Sequence, residues 1–433
     1  MKAEVLTIGD ELLRGEIIDS NKSFLSERLL RLDVETQFHT SVRDEPADMI
    51  DAFQRAASRA QVVLVSGGLG PTRDDLTAEV LARTFGRKLV QDAAALEGIR
   101  AFFRSIGREM TENNAKQACF PEGAEVLPNP VGTAPGFLLE ERGTLFFCMP
   151  GVPRELMRMM DEQVLPRIAK RGGSGQVLRA CLLRTFGMGE SALDAELADV
   201  AREGNVTLGF RTSFPDNYVR PVVRAGSAAE ADALLADVCR TVRERLGSIV
   251  YAEGDETLEA VVGRLLSERK RTIAVAESCT GGLIAQKLTD VPGSSQYFLG
   301  GIVAYGNAAK RELLEVPAAL LDRHGAVSVE VARAMAEGAR RRFGADLAIA
   351  TTGIAGPGGG TPEKPVGLVH VALADAARTH ADHFVFPLDR LRHRTLTAQL
   401  ALDWVRRSLL GLELVGPTLL RRSGGASAPG SRT

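Results

Sequence analysis

Ser278 and Cys279 stand side by side in TIAVAESCTGGLIAQKL, residues 272–288, where an apolar run stops and a glycine-punctuated helix is expected to start. Either residue could attack a carbonyl carbon, and each needs a base beside it. For Ser278 the candidate base is Lys310. In VAYGNAAKREL, residues 303–313, Asn307 reads as the cap of a helix, which puts Lys310 in its first turn. An ammonium there faces the positive end of the helix dipole, which disfavours its charge by about 0.3–1 kcal/mol. Neutrality at pH 7 for a group with an ordinary pKa near 10.4 takes about 4.6 kcal/mol. Burial must therefore do most of the work, and full burial is known to lower a lysine by about 3–5 pKa units. Tyr305, five residues earlier, would relay or orient the proton. Cys279 would need a histidine. Of His39, His324, His370, His380, His383 and His393, only His324, in RHGAV, is placed to serve. The plainer alternatives are that Ser278 is a helix cap, Cys279 a small buried apolar residue and Lys310 a surface charge. Thr351, Thr352 and Gly353 end a second apolar run. The loop from there to Gly367 is rich in glycine and proline, and its amides could serve an oxyanion or a phosphate.

A second constellation lies near the amino terminus. LVSGGLGPTRDDLTAEVL places Gly67, Gly68 and Gly70 after an apolar strand and ahead of a helix, where backbone amides can approach a phosphate. Thr72 with Asp75 also reads as a capping pair for that helix. TIGDELLRGEIIDSN gathers Asp10, Glu11, Glu16, Asp19 and Asn21 past the first strand, and MPGVPREL puts Glu155 in the turn after a later one. Carboxylates at strand ends suit hard divalent cations that share their shell with a diphosphate, although each alone also reads as a solvated charge at a helix start.

The elements that must position these groups can be read from the hydrophobic pattern. In residues 1–170, strands are expected at Ala3–Ile8, Val34–Ser41, Val62–Ser66 and in GTLFFCMPG, and helices at Asn21–Arg31, Pro46–Ser58, Leu76–Phe85 and Pro153–Met160. That alternation implies a mostly parallel sheet covered on both faces. RGGSG, residues 171–175, reads as a linker into a small α+β module ending near 252, a spacer or dimerisation unit. A third, α/β domain occupies 253–415. Its strands are expected at 272–276, 300–305, 346–351, 366–374 and 381–386, and its helices at 281–289, 307–315, 329–343 and 390–410. Residues 416–433 have the composition of a disordered tail.

With 433 residues, 45% hydrophobic and 25% charged, the chain is long enough for several cores of ordinary globular make-up. A net charge of −2 gives no reason to expect nucleic acid or a membrane surface as partner. The five cysteines, at 119, 148, 181, 239 and 279, form no C-x-x-C pair, which fits a reducing cytoplasm rather than a disulfide framework. No stretch has the length and apolarity of a membrane span or a secretory leader.

The motifs also carry a resemblance. TIGDELLRGEIIDSN, SGGLGPTRDDLT and NPVGTAPGF resemble the amino-terminal domain of the CinA family (competence/damage-inducible protein A), similar in fold to the MogA/MoaB molybdopterin-binding proteins. AESCTGG, GSSQYFLGGIVAYGNAAK, HGAVS and TTGIAGPGGGTPEKPVG resemble PncC-type nicotinamide mononucleotide (NMN) deamidases. The resemblance implies a bifunctional hydrolase of pyridine-nucleotide recycling. The carboxy-terminal domain would convert NMN to nicotinate mononucleotide and ammonia, without a cofactor, through a serine nucleophile. The amino-terminal domain would be an ADP-ribose pyrophosphatase dependent on Mg, Mn or Co. On this reading Ser278, Lys310, Tyr305 and Thr352 are catalytic. Glu277, Thr280, Gly281, Gly282, Gly353 and Arg394 hold NMN, with Arg394 matching a family arginine on the last helix. Gly67, Gly68, Gly70, Thr72, Asp10 and Asn21 hold ADP-ribose, and Asp74, Asp75 and Glu155 hold the metal. A homodimer is expected. The alternative is a non-catalytic nucleotide- or pterin-binding partner in competence or damage response. Ammonia release from NMN separates the two.

Overall fold

The computed structural model describes residues 1–30, 32, 34–171, 176–201 and 204–418. Most of the RGGSG linker and the tail beyond 418 therefore lie outside the described residues. Two compact units emerge: Met1–Arg179 with Arg224–Asp232, and Ala180–Val223 with Ala233–Thr433.

In the first unit, strands β1 (Lys2–Ile8), β2 (Glu35–Val42), β3 (Val62–Ser66), β4 (Glu125–Leu127), β5 (Gly136–Glu141) and β6 (Thr144–Met149) form a sheet in the order β2-β1-β3-β6-β5-β4. The first four in that order run parallel, and β5 alone is reversed, pairing antiparallel with both β6 and β4. β3 and β6 are buried along their whole length, as expected of central strands covered on both faces. The helices α1 (Ser20–Leu30), α2 (Pro46–Arg59), α3 (Thr77–Thr84) and α4 (Pro153–Met159) follow the strands, each within one or two residues of the bounds expected from sequence. Sequence periodicity did not reveal the short strands β4 and Leu89–Gln91. Three residues are too few to show an alternation.

The second unit holds the middle module and the carboxy-terminal domain together. The module pairs β7 (Leu183–Thr185), β8 (Val206–Ser213), β9 (Asp216–Ala225) and β10 (Val250–Glu253) antiparallel in the order β8-β9-β7-β10. The carboxy-terminal sheet orders β11 (Ile273–Glu277), β12 (Phe298–Val303), β13 (Leu347–Gly353), β14 (Leu368–Ala374) and β15 (Thr379–Val385) as β12-β11-β13-β14-β15. β12, β11 and β13 are parallel, and the remaining pairings are antiparallel. Around it pack α5 (Leu258–Glu268), α6 (Leu283–Thr289), α7 (Asn307–Leu314), α8 (Val329–Phe343) and α9 (Arg390–Leu410).

Local chemistry explains several ends. The Ser328 side chain accepts from the Val331 amide to start α8, which ends at Gly344 in the left-handed conformation. Asp389 does the same for α9 by accepting from Arg392. Aromatic Phe186 and Tyr251 of the module lie in the same apolar cluster as Trp404 and Leu396 of α9, so one core serves both parts of this unit. Residues 416–418 of the expected tail lie among the described residues. Trp404 donates to the Val415 carbonyl at 3.0 Å, and the amide of Thr418 reaches the Gly187 carbonyl at 2.6 Å, so residues up to 418 are tied down.

Candidate active site

The strand β11 ends at Glu277 and the chain turns through Ser278–Gly282 into α6. Gly281 and Gly282 have φ of +62° and +95°, so the turn needs residues without a Cβ there. Glu277 is fully buried, and its carboxylate accepts from the amides of Gly282 (2.9 Å), Ile284 (3.2 Å) and Ala285 (2.9 Å). A carboxylate at a helix start complements both the orphan amides and the dipole. Glu277 was expected to touch substrate. It is instead fully engaged in shaping the turn that presents Ser278, and the α6 amides it satisfies are not open to a phosphate.

Lys310 is 1% exposed, and its amine meets three oxygens: Ser278 Oγ at 3.1 Å, the Ala304 carbonyl at 2.7 Å and the Tyr305 carbonyl at 3.2 Å. A neutral amine has two hydrogens and one lone pair. The two carbonyls accept hydrogens only, so the lone pair is left for the Ser278 hydroxyl. Burial, the dominant cause, lowers the lysine from its ordinary value. α7 begins at Asn307, but its cap is Gly306 rather than Asn307, which puts Lys310 at the fourth helical position. The lowering of its pKa therefore comes from desolvation more than from the dipole.

Cys279 is buried, and desolvation pushes its thiol up to about 12, the opposite of what a thiolate nucleophile requires. His324 lies by Glu330, with Nδ1 3.6 Å from its carboxylate. Both facts weigh towards serine.

Tyr305 contributes differently from the expected proton relay. Its carbonyl touches Lys310, while its hydroxyl, on a 60% exposed residue, accepts from Arg390 at 2.7 Å. Thr352 is buried, with its hydroxyl donating to the Ala326 carbonyl at 2.8 Å, so it ties β13 to the HGAVS loop. The hydroxyls of Thr280 and Thr351 share a 2.7 Å hydrogen bond. Gly353 is where β13 and β14 approach too closely for a side chain, since a Cβ there would sit 2.6 Å from the Leu368 carbonyl.

Arg394 donates twice, from Nε at 3.2 Å and Nη2 at 2.8 Å, to the Thr280 carbonyl two residues after Ser278. Arg390, one turn earlier on α9, reaches the Gly356 carbonyl of the glycine-rich loop at 3.0 Å. The two arginines thus bracket the rim of the nucleophile turn as cations suited to an anionic substrate group. Arg390 was missed, although i and i+4 on one helix share a face. The carbonyls of Ala304 and Tyr305 carry no signal in residue type.

In the first unit, Gly67 and Gly68 have φ of +108° and +66°. A Cβ on Gly67 would lie 2.3 Å from the Ile8 carbonyl. A cavity of about 220 Å³ is lined by Gly68, Gly70, Asp75, Glu79, Lys116 and Gln117. Asp75 accepts from both the amide (2.8 Å) and the hydroxyl of Thr72. Because α3 starts only at Thr77, this pair closes the glycine loop rather than capping the helix. A second hollow of about 110 Å³ is lined by Thr7, Asp19, Asn21, Ser66 and Gly151. There Asn21 donates to Ser66 (3.0 Å) and to the Gly151 carbonyl (2.8 Å), while its own Oδ1 is buried without a partner. Asp10 lies beside Arg14 and Asp44. Burial, reinforced by Glu11, Asp10 and Asp74, raises the Asp44 carboxyl.

The expected metal ligands do not fit a divalent cation. Asp75 is engaged by Thr72, and Glu155 accepts from Asn129 at 2.7 Å. Asp74 is fully exposed, its carboxyl lowered chiefly by Thr72. Among the described residues no three of His, Cys, Asp and Glu stand close enough to hold an ion. Nor is any helix among them long and apolar enough to cross a membrane.

Comparison with known proteins gives three consecutive family matches. Residues 4–170 match a "Probable molybdopterin binding domain", 181–252 a "Damage-inducible protein CinA KH domain" and 255–409 a "CinA C-terminal domain". A CinA-like protein of Geotalea uraniireducens is 45% identical over 413 residues, covering 95% of this chain and 98% of its own. One from Geobacter sulfurreducens is 45% identical over 411 residues, 95% of this chain and 100% of its own. The crystal structure of a competence/damage inducible protein from Agrobacterium tumefaciens is similar over 35% of this chain and 95% of that one, at 40% identity and a TM-score of 0.34.

Proposed function

The chain belongs to the CinA family, and from that premise we propose that its carboxy-terminal domain hydrolyses the carboxamide of nicotinamide mononucleotide, with Ser278 as nucleophile and Lys310 as base. The observation that carries the reading is the buried amine of Lys310, held by two carbonyls with its remaining valence 3.1 Å from Ser278 Oγ. Lys310 takes the serine proton as Oγ bonds to the carboxamide carbon. It then returns a proton to the departing nitrogen as the C–N bond breaks, releasing ammonia. Water, deprotonated by the same amine, cleaves the acyl-serine to the carboxylate and restores both groups. Arg390 and Arg394 supply positive charge for the phosphate.

For the amino-terminal domain we propose cleavage of ADP-ribose to AMP and ribose 5-phosphate. Support comes from the glycine loop beside its cavity and from Lys116, whose amine donates to the Thr72 carbonyl at 2.9 Å. The carboxylates there assemble no cation site, and no step is drawn through a metal.

Purified full-length protein incubated with NMN is expected to release ammonia and nicotinate mononucleotide in equal amounts. Saturable binding of NMN or ADP-ribose with no product from either would instead establish the non-catalytic partner.

A further inference from the structure

The sequence leaves the middle module as a spacer, yet the module holds the helix that carries the arginines. Between β8 and β9 the chain turns at Phe214–Pro215, and Asp216 follows at the tip. That aspartate is only 9% exposed. Its Oδ1 accepts from Gln399 Nε2 of α9 at 2.8 Å, and its Oδ2 accepts from the Tyr251 hydroxyl of β10 at 2.9 Å. Lys287 on α6 and Glu259 on α5, themselves paired at 3.2 Å, are the charged groups that face it from those helices. Burial, its dominant cause, pushes the Asp216 carboxyl up to about 6, against the pull of the two donors. The tip is therefore tied to α9 and lies within electrostatic reach of α5 and α6. α6 runs directly out of the nucleophile turn, and α9 carries Arg390 and Arg394. Gln399 lies five residues past Arg394, roughly 7.5 Å along the helix axis. A second tie from the module falls farther along α9, where Arg406 donates to the Ser248 carbonyl at 2.7 Å.

We propose that Asp216 is a positioning residue for the nucleotide site: by fastening the hairpin tip to α9, it sets the helix that holds Arg394 against the Thr280 carbonyl. This rests on the reading above, in which that arginine grips the substrate's phosphate. A helix fixed at Gln399 and Arg406 moves as a rod, so releasing one tie is felt at its amino-terminal turns rather than at Lys310. The effect therefore belongs in substrate affinity. The buried Oδ1 position and the unpartnered Oε1 of Gln399 also define a conservative replacement. An asparagine at 216 can accept from Tyr251 and donate to a turned-over Gln399 amide, whereas alanine can do neither.

The test compares Asp216→Ala and Asp216→Asn in the full-length protein. Asp216→Ala is expected to raise KM for NMN about tenfold with kcat within about threefold, and Asp216→Asn to restore KM to within about threefold of wild type. Without substrate, amide hydrogens of residues 394–402 should exchange about tenfold faster in Asp216→Ala than in wild type, and recover in the asparagine variant. Wild-type KM and exchange in Asp216→Ala would overturn the proposal, as would an asparagine variant no better than alanine in both. If wild type releases no ammonia, the deamidase reading fails and the exchange comparison alone decides the positioning role.

Discussion

A lysine that acts as a base must be neutral, and burial moves Lys310 in that direction. Ser278→Ala and Lys310→Met should each lower NMN deamidation by at least about 10³-fold, within the range removed with a nucleophile or its base. Cys279→Ala should leave most of the rate, as expected of a thiol whose pKa burial has raised to about 12. Lys310→Arg should be inactive too, because guanidinium does not give up its proton. Rate measurements on the four variants decide the assignment. An inactive Cys279→Ala beside an active Ser278→Ala would reverse it. The same burial predicts a pH dependence of folding. The folded pKa of Lys310 is below the unfolded value, so the unfolded chain binds more protons between the two. Stability from this group is present above the ordinary lysine pKa and is lost as pH falls towards the folded one. In urea unfolding between pH 8 and 10, wild type should therefore gain stability with pH relative to Lys310→Met, by at most about 1.4 kcal/mol per pH unit. Parallel curves would mean the amine is charged in its pocket. Ser278 and Lys310 were legible in the sequence because one falls at the carboxyl end of a strand pattern and the other in the helix start that follows the next strand. The partners of the amine were not, because main-chain carbonyls look alike at every residue.

At the level of elements, the turn from β11 into α6 decides whether Ser278 is presented at all. Glu277 satisfies three amides of that turn from inside the core, so removing it leaves buried donors without acceptors. Each such loss costs about 1–3 kcal/mol. Glu277→Ala should destabilise the protein by roughly 3 kcal/mol or more, and Glu277→Gln by less, since one side-chain oxygen remains to accept. Chemical denaturation followed by circular dichroism measures both. A change under about 0.5 kcal/mol for alanine would mean the turn holds itself. The family resemblance marked Glu277 as a substrate contact. Only the left-handed glycines that curl α6 back over it show that its oxygens face helix amides. The strands of the carboxy-terminal sheet were readable because β11 and β13 are uninterrupted apolar runs, and α8 because its cap and its terminal glycine bound a regular amphipathic repeat. Thr72 and Asp75 misled in the opposite direction. Their spacing fits a capping box, but Leu76 intervenes before the helix, and the pair locks a loop instead.

Two units have different cores, and on the proposed function their two chemistries should be separable within one intact chain. The second unit brings Ser278, in the turn after β11, to Lys310 on α7, and no cluster of metal-binding side chains stands there among the described residues. The first has a glycine loop, a lysine and scattered carboxylates that leave a diphosphate substrate's charge largely unneutralised. If the amino-terminal domain cleaves ADP-ribose with a cation, that ion must be held mainly by the substrate's own diphosphate oxygens, because the carboxylates among the described residues are engaged elsewhere or stand apart. EDTA should therefore abolish ADP-ribose cleavage by the full-length protein and leave NMN deamidation within about twofold. Added Mg, Mn or Co should restore the first activity only. Asp75→Ala provides the matching change in the protein. Without Asp75 the Thr72 amide and hydroxyl lose their acceptor and the loop through Gly70 is released, which should cost ADP-ribose cleavage about tenfold or more, the loss expected when substrate-positioning groups are let go. Deamidation should be unchanged in that variant, since the loop belongs to the other unit. Two product assays on one preparation, AMP from ADP-ribose and ammonia from NMN, read both changes together. A deamidase that dies with EDTA and revives with metal would overturn the serine–lysine mechanism, and an Asp75→Ala protein that folds yet loses both activities would show that the two units do not work independently.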